Sequence, residues 1–426
     1  MSVTTHLRPR ALLFFALAVA AFAAGVSAPV AGQAGGATVF EGARLINGTG
    51  GPAVENAAFL VEGSRITQVG RAGQIKAPAG AMRVSLAGKT VIPAIVDTHT
   101  HLSSERPALE EQLRGKAYYG VAAAMSLGQD VGQVGLQVRA EPIPGAALFR
   151  TAGRGITMPE PGRSDVPYWV STEAEGRKAV QEIAANKADI VKIWVDDRDG
   201  KYKKLPPELY GPIIDEAHKQ GLRVTAHIFN LSDAKGLLKA GLDAFAHGVR
   251  DVDIDEEFLG MAKQRRNLVL VPNLPDRGVK TDMSWLKDSV SAAELAKLQA
   301  AADRDNPEAQ RAYGIQARNL AKMNAAGVKV ALGTDGAVLW AHHLEMADMV
   351  AAGMTPAQVI VASTKNAAEF MRMPDAGTIE AGKSADFVVL DANPLEDITN
   401  TRKITAVYLR GAMVDRAGIR AKWQAR

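Results

Sequence analysis

From Val91 onward the chain repeats one unit, a short apolar run of strand length followed by a segment with helical spacing. The runs fall near 91–98, 122–127, 147–153, 189–195, 223–228, 244–249, 268–274 and 329–335. Several intervening helices carry their own start and stop signals. Thr172 and Glu175 form a capping-box pair before the segment that leads to Asp189. Pro207 to Gln220 places Leu209, Ile213, Ile214 and Ala217 on one face and stops at Gly221. Thr355, Pro356 and Gln358 open a helix expected to reach about Met371. Eight such repeats predict an α/β fold, a closed (β/α)8 TIM-type barrel spanning 91–373.

The flanks read differently. Within 38–90, strand-like runs at Thr38–Phe40, Ala58–Val61 and Arg65–Val69 are broken by Asn47-Gly48 and Glu62-Gly63. Within 374–415, Phe387–Leu390 and Ala406–Leu409 are strand-like and Asn393-Pro394 marks a turn. Two β segments at opposite ends of a barrel are expected to join as one small composite β-sandwich domain. The basic tail at 416–426 is expected to be a solvated end.

At the N-terminus, Arg8 and Arg10 precede an apolar run from Ala11 to Ala24, with small residues at Val26-Ser27-Ala28. That layout predicts a signal peptide over 1–28, with 29–37 as a flexible leader. The run falls short of the ~18–20 residues that cross a bilayer. The expected destination is therefore the periplasm or the exterior, with no stable membrane insertion after cleavage; an uncleaved anchor is the alternative. The 426 residues are 47% hydrophobic and 23% charged, which excludes a disordered chain. A formal net charge of +4, partly from the leader arginines and without a dense basic stripe, does not indicate a nucleic-acid partner. With no cysteine, a metal site must draw on histidine, carboxylate or modified lysine.

Of the 8 histidines, only His6 lies in the expected signal peptide. Two others stand in Asp97-Thr98-His99-Thr100-His101, where the i, i+2 spacing points both imidazoles to one face of the first barrel strand. Lys192 interrupts the apolar run Ile190–Trp194, and His227, His247 and Asp335 close strands five, six and eight. Active sites of such barrels form at these C-terminal strand ends. Burying so many polar groups costs a few kcal/mol each unless something pairs them, and a divalent metal would.

These residues resemble the amidohydrolase superfamily, in particular its imidazolonepropionase-like and metal-dependent dipeptidase or carboxypeptidase branches. The likeness covers nearly all of the chain beyond the leader. Val91–His101 is similar to the family's first-strand motif, and Gly377–Leu390 to its return into the β domain; Ala94 departs from the usual glycine. The resemblance implies two divalent metal ions, zinc by default and manganese or cobalt as substitutes, held by His99, His101, Lys192, His227, His247 and Asp335. It also implies that Lys192 is carbamylated, since an ammonium cannot ligate, and burial would favour the neutral amine that reacts with carbon dioxide. Metal-activated water would then hydrolyse an amide of a dipeptide-like or N-acyl amino acid small molecule, with Asp335 moving the proton. The alternatives are a mononuclear cyclic-amide hydrolase or deaminase, a lactonase or esterase, and a binding protein with a decayed site.

Other residues enter with lesser roles. His218 is expected to be structural, and His342 and His343 to sit at a helix start or behind the site. His343-Leu344-Glu345 resembles a family feature near the site. Arg198 or Arg250 could clamp a substrate carboxylate, and Tyr118 or Tyr119 could face substrate or pack in the core. Homo-oligomerisation is left open.

Overall fold

The computed structural model describes residues 36–425. The expected signal peptide and nearly all of the 29–37 leader lie outside the described residues. The strands, in chain order, are β1 Ala37–Leu45, β2 Val54–Glu62, β3 Arg65–Arg71, β4 Met82–Ser85, β5 Thr90–Pro93, β6 Ile95–Thr100, β7 Val121–Ser126, β8 Leu148–Thr151 and β9 Ile156–Thr157. They continue with β10 Tyr168–Trp169, β11 Val191–Val195, β12 Val224–Ile228, β13 Ala244–Ala246, β14 Val269–Val271, β15 Lys329–Val330, β16 Phe387–Leu390, β17 Ile404–Leu409 and β18 Ala412–Met413.

The two terminal segments do pair. They make one 8-stranded mixed sheet in the order β18-β17-β16-β5-β1-β2-β3, with β4 added on β1. Two strands separate β16 from β2 in that order, so a flat sheet would hold them ~14 Å apart. Yet the rings of Phe59 on β2 and Phe387 on β16 lie 5.0 Å apart, and Phe40 on β1 meets both Phe387 and Tyr408 at 5.0 Å. The sheet therefore folds over an aromatic core in the manner of a sandwich.

The barrel strands form a 3-stranded group, β6-β7-β8, and a 7-stranded group, β10-β9-β11-β12-β13-β14-β15. Single hydrogen bonds join the groups. Asp189 N donates to Thr151 O at 2.9 Å, between the third and fourth barrel strands. Between the first and eighth, Thr98 N donates to Leu332 O at 3.0 Å, Thr334 N donates to His99 O at 2.9 Å, and Thr100 bridges Gly336 in parallel. These links run the parallel strands around a full circle.

Some elements differ from the sequence reading. The run 91–98 is two strands: β5 belongs to the terminal sheet, between β16 and β1, and β6 opens the barrel. Ala94 sits at the junction, with its N–H on Asp386 O at 3.0 Å. Both halves are buried throughout, so hydropathy carries no mark of the change of sheet. The helix opened by Thr355 passes through a wider, π-type turn at Ala362–Asn366 before ending at Phe370. There Ala362 O accepts from Leu332 N at 3.1 Å and Asn366 Nδ2 donates to Val330 O at 2.9 Å, so the helix is stitched to the eighth strand.

The 416–426 tail is not a solvated end. Arg416–Gln424 is a helix, capped where Asp415 accepts from Gly418 N. Ile419 and Trp423, four residues apart, share the face that packs on the barrel, and Trp423 meets the Tyr118 ring at 4.8 Å. Arg416 turns inward, with Nε on Tyr118 O at 2.9 Å and Nη1 on Ile404 O at 2.7 Å. Its charge count hid this apolar stripe. Among the described residues no helix is long and apolar enough to cross a membrane.

Candidate metal centre

His99 lies on β6 and His101 immediately after it, and both imidazoles meet Asp335. His99 is fully buried, and its ring lies 5.2 Å from the His101 ring and 5.2 Å from the His247 ring. Asp335 enters from the eighth strand. Its Oδ1 lies 2.9 Å from His101 Nε2 and 3.0 Å from His99 Nε2, and its Oδ2 lies 3.3 Å from His247 Nε2. His99, His247 and Asp335 each place a ligand atom within 4.8 Å of the others, which suffices to hold a metal ion. Both His247, at φ 99°, and Asp335, at φ 52°, take left-handed backbone, so the chain turns sharply where each side chain is presented.

The state of these groups suits a cation. Asn273 Oδ1 lies 2.9 Å from His99 Nδ1; the amide oxygen can only accept, so the ring proton sits on Nδ1 and Nε2 keeps its lone pair. Burial lowers the His99 pKa to about 4, against the pull of Asp335, so the ring is neutral at pH 7. Burial likewise lowers His247 well below the ordinary value. Burial works against the charge of Asp335, while the hydrogen bond that its Oδ1 accepts from His101 Nε2 at 2.9 Å favours the carboxylate and helps to hold it below the ordinary range. A bare nitrogen lone pair thus faces a carboxylate oxygen at 3.0 Å without an aligned hydrogen bond, a repulsive contact that a metal ion converts to attraction. Asn273 is the residue sequence reading missed. It stands two residues after β14, itself at φ 45°, and no spacing rule ties it to the histidines.

Lys192 points into the same space. It is 1% exposed, its Nζ has no hydrogen-bond partner among the described residues, and burial, aided by Arg250 and Arg198 and opposed by Asp335, lowers its pKa to about 7. Asp196, four residues further on, does not pair with it: it is engaged by Arg198 Nη1 at 2.6 Å and His227 Nε2 at 2.8 Å. Room for the lysine stem depends on Gly128, at φ 88°, where a Cβ would come within 2.5 Å of Trp194 and 2.9 Å of Lys192 Cγ.

His227 stands with its ring 4.7 Å from that of His247, while its Nε2 bonds Asp196 and also lies 3.0 Å from Arg198 Nη1. It borders the cluster without touching Asp335. Burial, opposed by Asp196, lowers its pKa to about 3. Arg198 is committed to Asp196 and, at 3.2 Å, to Glu160. Arg250 is not. It lines the mouth beside Asp335, Asn273 and Phe229, and its Nε is buried without a partner.

The remaining candidates lie off the centre. His218 Nε2 pairs with Asp243 at 2.8 Å. His342 Nε2 meets Tyr119 O at 2.9 Å and His343 Nδ1 meets Thr401 Oγ1 at 3.1 Å, both inside the helix Ala341–Ala351. Tyr118 and Tyr119 pack against Trp423, and Tyr119 also against Trp285, in an aromatic core rather than at the mouth. Glu345 is buried, with Leu274 N donating to its carboxyl at 3.1 Å. Behind β6, Asp97 and Lys116 form an ion pair at 2.7 Å with both side chains fully buried, and Thr334 Oγ1 donates to Asp97 at 2.9 Å. These contacts tie the first strand to the loop that carries Asp335.

Comparison with known proteins agrees with this architecture. The chain is 25% identical over 445 residues to the ochratoxinase of Aspergillus niger, covering 90% of this chain and 87% of that one. It is 25% identical over 397 residues to the imidazolonepropionase of Deinococcus radiodurans, covering 85% and 92%. A crystal structure of a candidate prolidase from Bifidobacterium longum superposes with a TM-score of 0.75 at 25% identity, over 92% of this chain and 99% of that one. Residues 171–414 match the model of the Amidohydrolase family. With that match spanning more than half its length, the chain belongs to the amidohydrolase family and is a hydrolase acting on carbon–nitrogen bonds.

Proposed function

We propose that the protein is an exported, binuclear metal-dependent amidohydrolase that cleaves the amide bond of dipeptide-like or N-acyl amino acid substrates. The observation that carries this reading is a buried Lys192 amine without a hydrogen-bond partner among the described residues, beside neutral histidines and an ionised Asp335. His99, His101, His247 and Asp335, joined by His227 and a carbamylated Lys192, would hold the two metal ions. Zinc is the first choice, and manganese or cobalt would suit the same donors. Such ions, when bound, make a water nucleophilic at neutral pH and polarise the scissile carbonyl.

The chain's own groups supply the rest. Asn273 fixes the His99 ring so that Nε2 faces inward. Asp335, ionised and central, accepts the proton of the attacking water and delivers it to the leaving nitrogen. Of the two arginines expected from sequence, Arg250 would bind a substrate carboxylate at the mouth, since it has no ion pair among the described residues, whereas Arg198, although its Nη2 is unpartnered, is held by Asp196 and Glu160. That assignment favours substrates carrying a free carboxylate near the scissile bond. Export rests on the leader sequence at 1–28 alone.

The test is hydrolysis by the purified protein, stripped with a chelator and reloaded with zinc, manganese or cobalt. N-acyl amino acids and dipeptides should be cleaved only after reloading, and Arg250→Leu should raise KM more than it lowers kcat. Turnover confined to a cyclic amide or a lactone would replace this reading with the mononuclear or esterase alternative.

A further inference from the structure

Next to the metal mouth lies a cavity of roughly 400 Å3 that the chemistry above does not use. It adjoins the mouth across Leu274 and Thr334, which line both spaces. Its walls come from the loop after β14, from the helices Ala292–Ala302 and Ala341–Ala351, and from Arg402 at the end of the turn Ile398–Arg402. Met283, Leu298 and Leu344 make much of the surface apolar.

The charged groups at its base are unevenly matched. Arg277 Nε is paired with Asp348 at 2.8 Å. Glu345 is buried, accepts from Leu274 N at 3.1 Å, and has its pKa raised well above the ordinary value, chiefly through desolvation and also through Asp348. Arg402 has no ion pair among the described residues: its guanidinium lies over Trp285, 4.8 Å from the ring centre, and its Nε is buried without a hydrogen-bond partner among them. At the rim, exposed Asp276 and Arg304 offset one another. What stands out is the Arg402 guanidinium, near Asp348 but not paired with it, lying over an aromatic ring at the edge of an apolar hollow.

We propose that this cavity is a recognition subsite for the acyl end of the substrate, taking an apolar chain that terminates in a carboxylate or similar planar anion bound by Arg402. The proposal rests on the amide-hydrolase reading above and adds to it a second acidic end. A guanidinium offers a carboxylate two parallel hydrogen bonds, whereas a methyl terminus would leave its charge in an apolar space with no partner. The subsite also gives the terminal β segment a part in substrate choice, because Arg402 comes from the segment linking β16 to β17.

The experiment compares the metal-loaded protein on N-succinyl-, N-glutaryl- and N-adipoyl-L-alanine with their methyl-ended counterparts of equal length. For at least one length the wild type should show the lower KM for the carboxylate-ended member. Arg402→Leu should raise that KM about tenfold or more and leave the methyl-ended partner within about twofold. Ala301→Asp, at an exposed lining position that leaves the Arg402–Trp285 stack untouched, should act in the same direction. No preference in wild type, or an equal loss on both members in the variants, would overturn the subsite. If neither series is turned over, the amide reading fails separately, and calorimetry with N-adipoyl-L-alanine decides the subsite. Saturable binding lost in both variants supports it, and equal or absent binding in all three proteins refutes it.

Discussion

At the residue scale, the site depends on which atom each side chain presents. His99 can offer Nε2 to a metal because Asn273 holds the proton on Nδ1. Asn273→Leu is expected to lower metal affinity by about 10–100-fold, read by competition with a chromogenic chelator, with the circular dichroism spectrum unchanged. Gly333 matters for its size: a Cβ there would stand 2.5 Å from Val271 and 2.8 Å from the His99 Cβ. Gly333→Ala should push the eighth strand off β6, lowering the melting temperature as well as metal content; a variant of wild-type stability and metal load would contradict the packing. The histidines, Lys192 and Asp335 were legible in sequence because each ends or interrupts an apolar strand. Asn273 was not, because an asparagine in a loop after a strand looks like an ordinary turn residue. Nor does sequence distinguish Arg198 from Arg250, since the difference lies in Asp196 and Glu160 already holding one of them.

At the scale of elements, the eight-fold alternation was readable because barrel strands buried on both faces leave short apolar runs. What escaped was where one sheet yields to another. Val91–Ile95 is uniformly buried, yet β5 and β6 serve different sheets. The docked helix at Arg416–Gln424 escaped because its apolar stripe is only Ile419 and Trp423 among basic neighbours. The Asp97–Lys116 pair is the main buried electrostatic tie between elements, joining β6, the helix Arg106–Tyr118 and the loop of Thr334. Lys116→Met leaves a buried carboxylate alone and should cost about 3–5 kcal/mol of stability by denaturant unfolding. The double variant Asp97→Asn with Lys116→Met should recover much of that loss. No recovery would mean that the lysine stem's packing, rather than the charge, holds these elements together.

At the scale of the molecule, burial of neutral histidines sets the response to acid. His99, His227 and His343 have folded pKa values lowered to about 4, 3 and 3, and His247 and His342 lie well below the ordinary value, in each case chiefly through burial. Unfolded, each would take a proton near pH 6.5, so below that pH the unfolded chain binds more protons and stability falls as pH drops. Glu345 and Asp348, whose folded values are raised by burial, Asp348 to about 7, oppose this and soften the slope. The melting temperature should therefore hold near pH 7–8 and decline from about 6.5 to 5. His342→Gln, remote from the metal centre, should make the decline shallower; an unchanged slope would show that this ring is not neutral when folded.

Whether Lys192 joins two metal ions can be read from the metal content per chain. Elemental analysis of the purified wild type should give about two divalent ions per chain, and Lys192→Ala should lower that count together with amide hydrolysis. One ion per chain, unchanged by the substitution, would contradict the binuclear account.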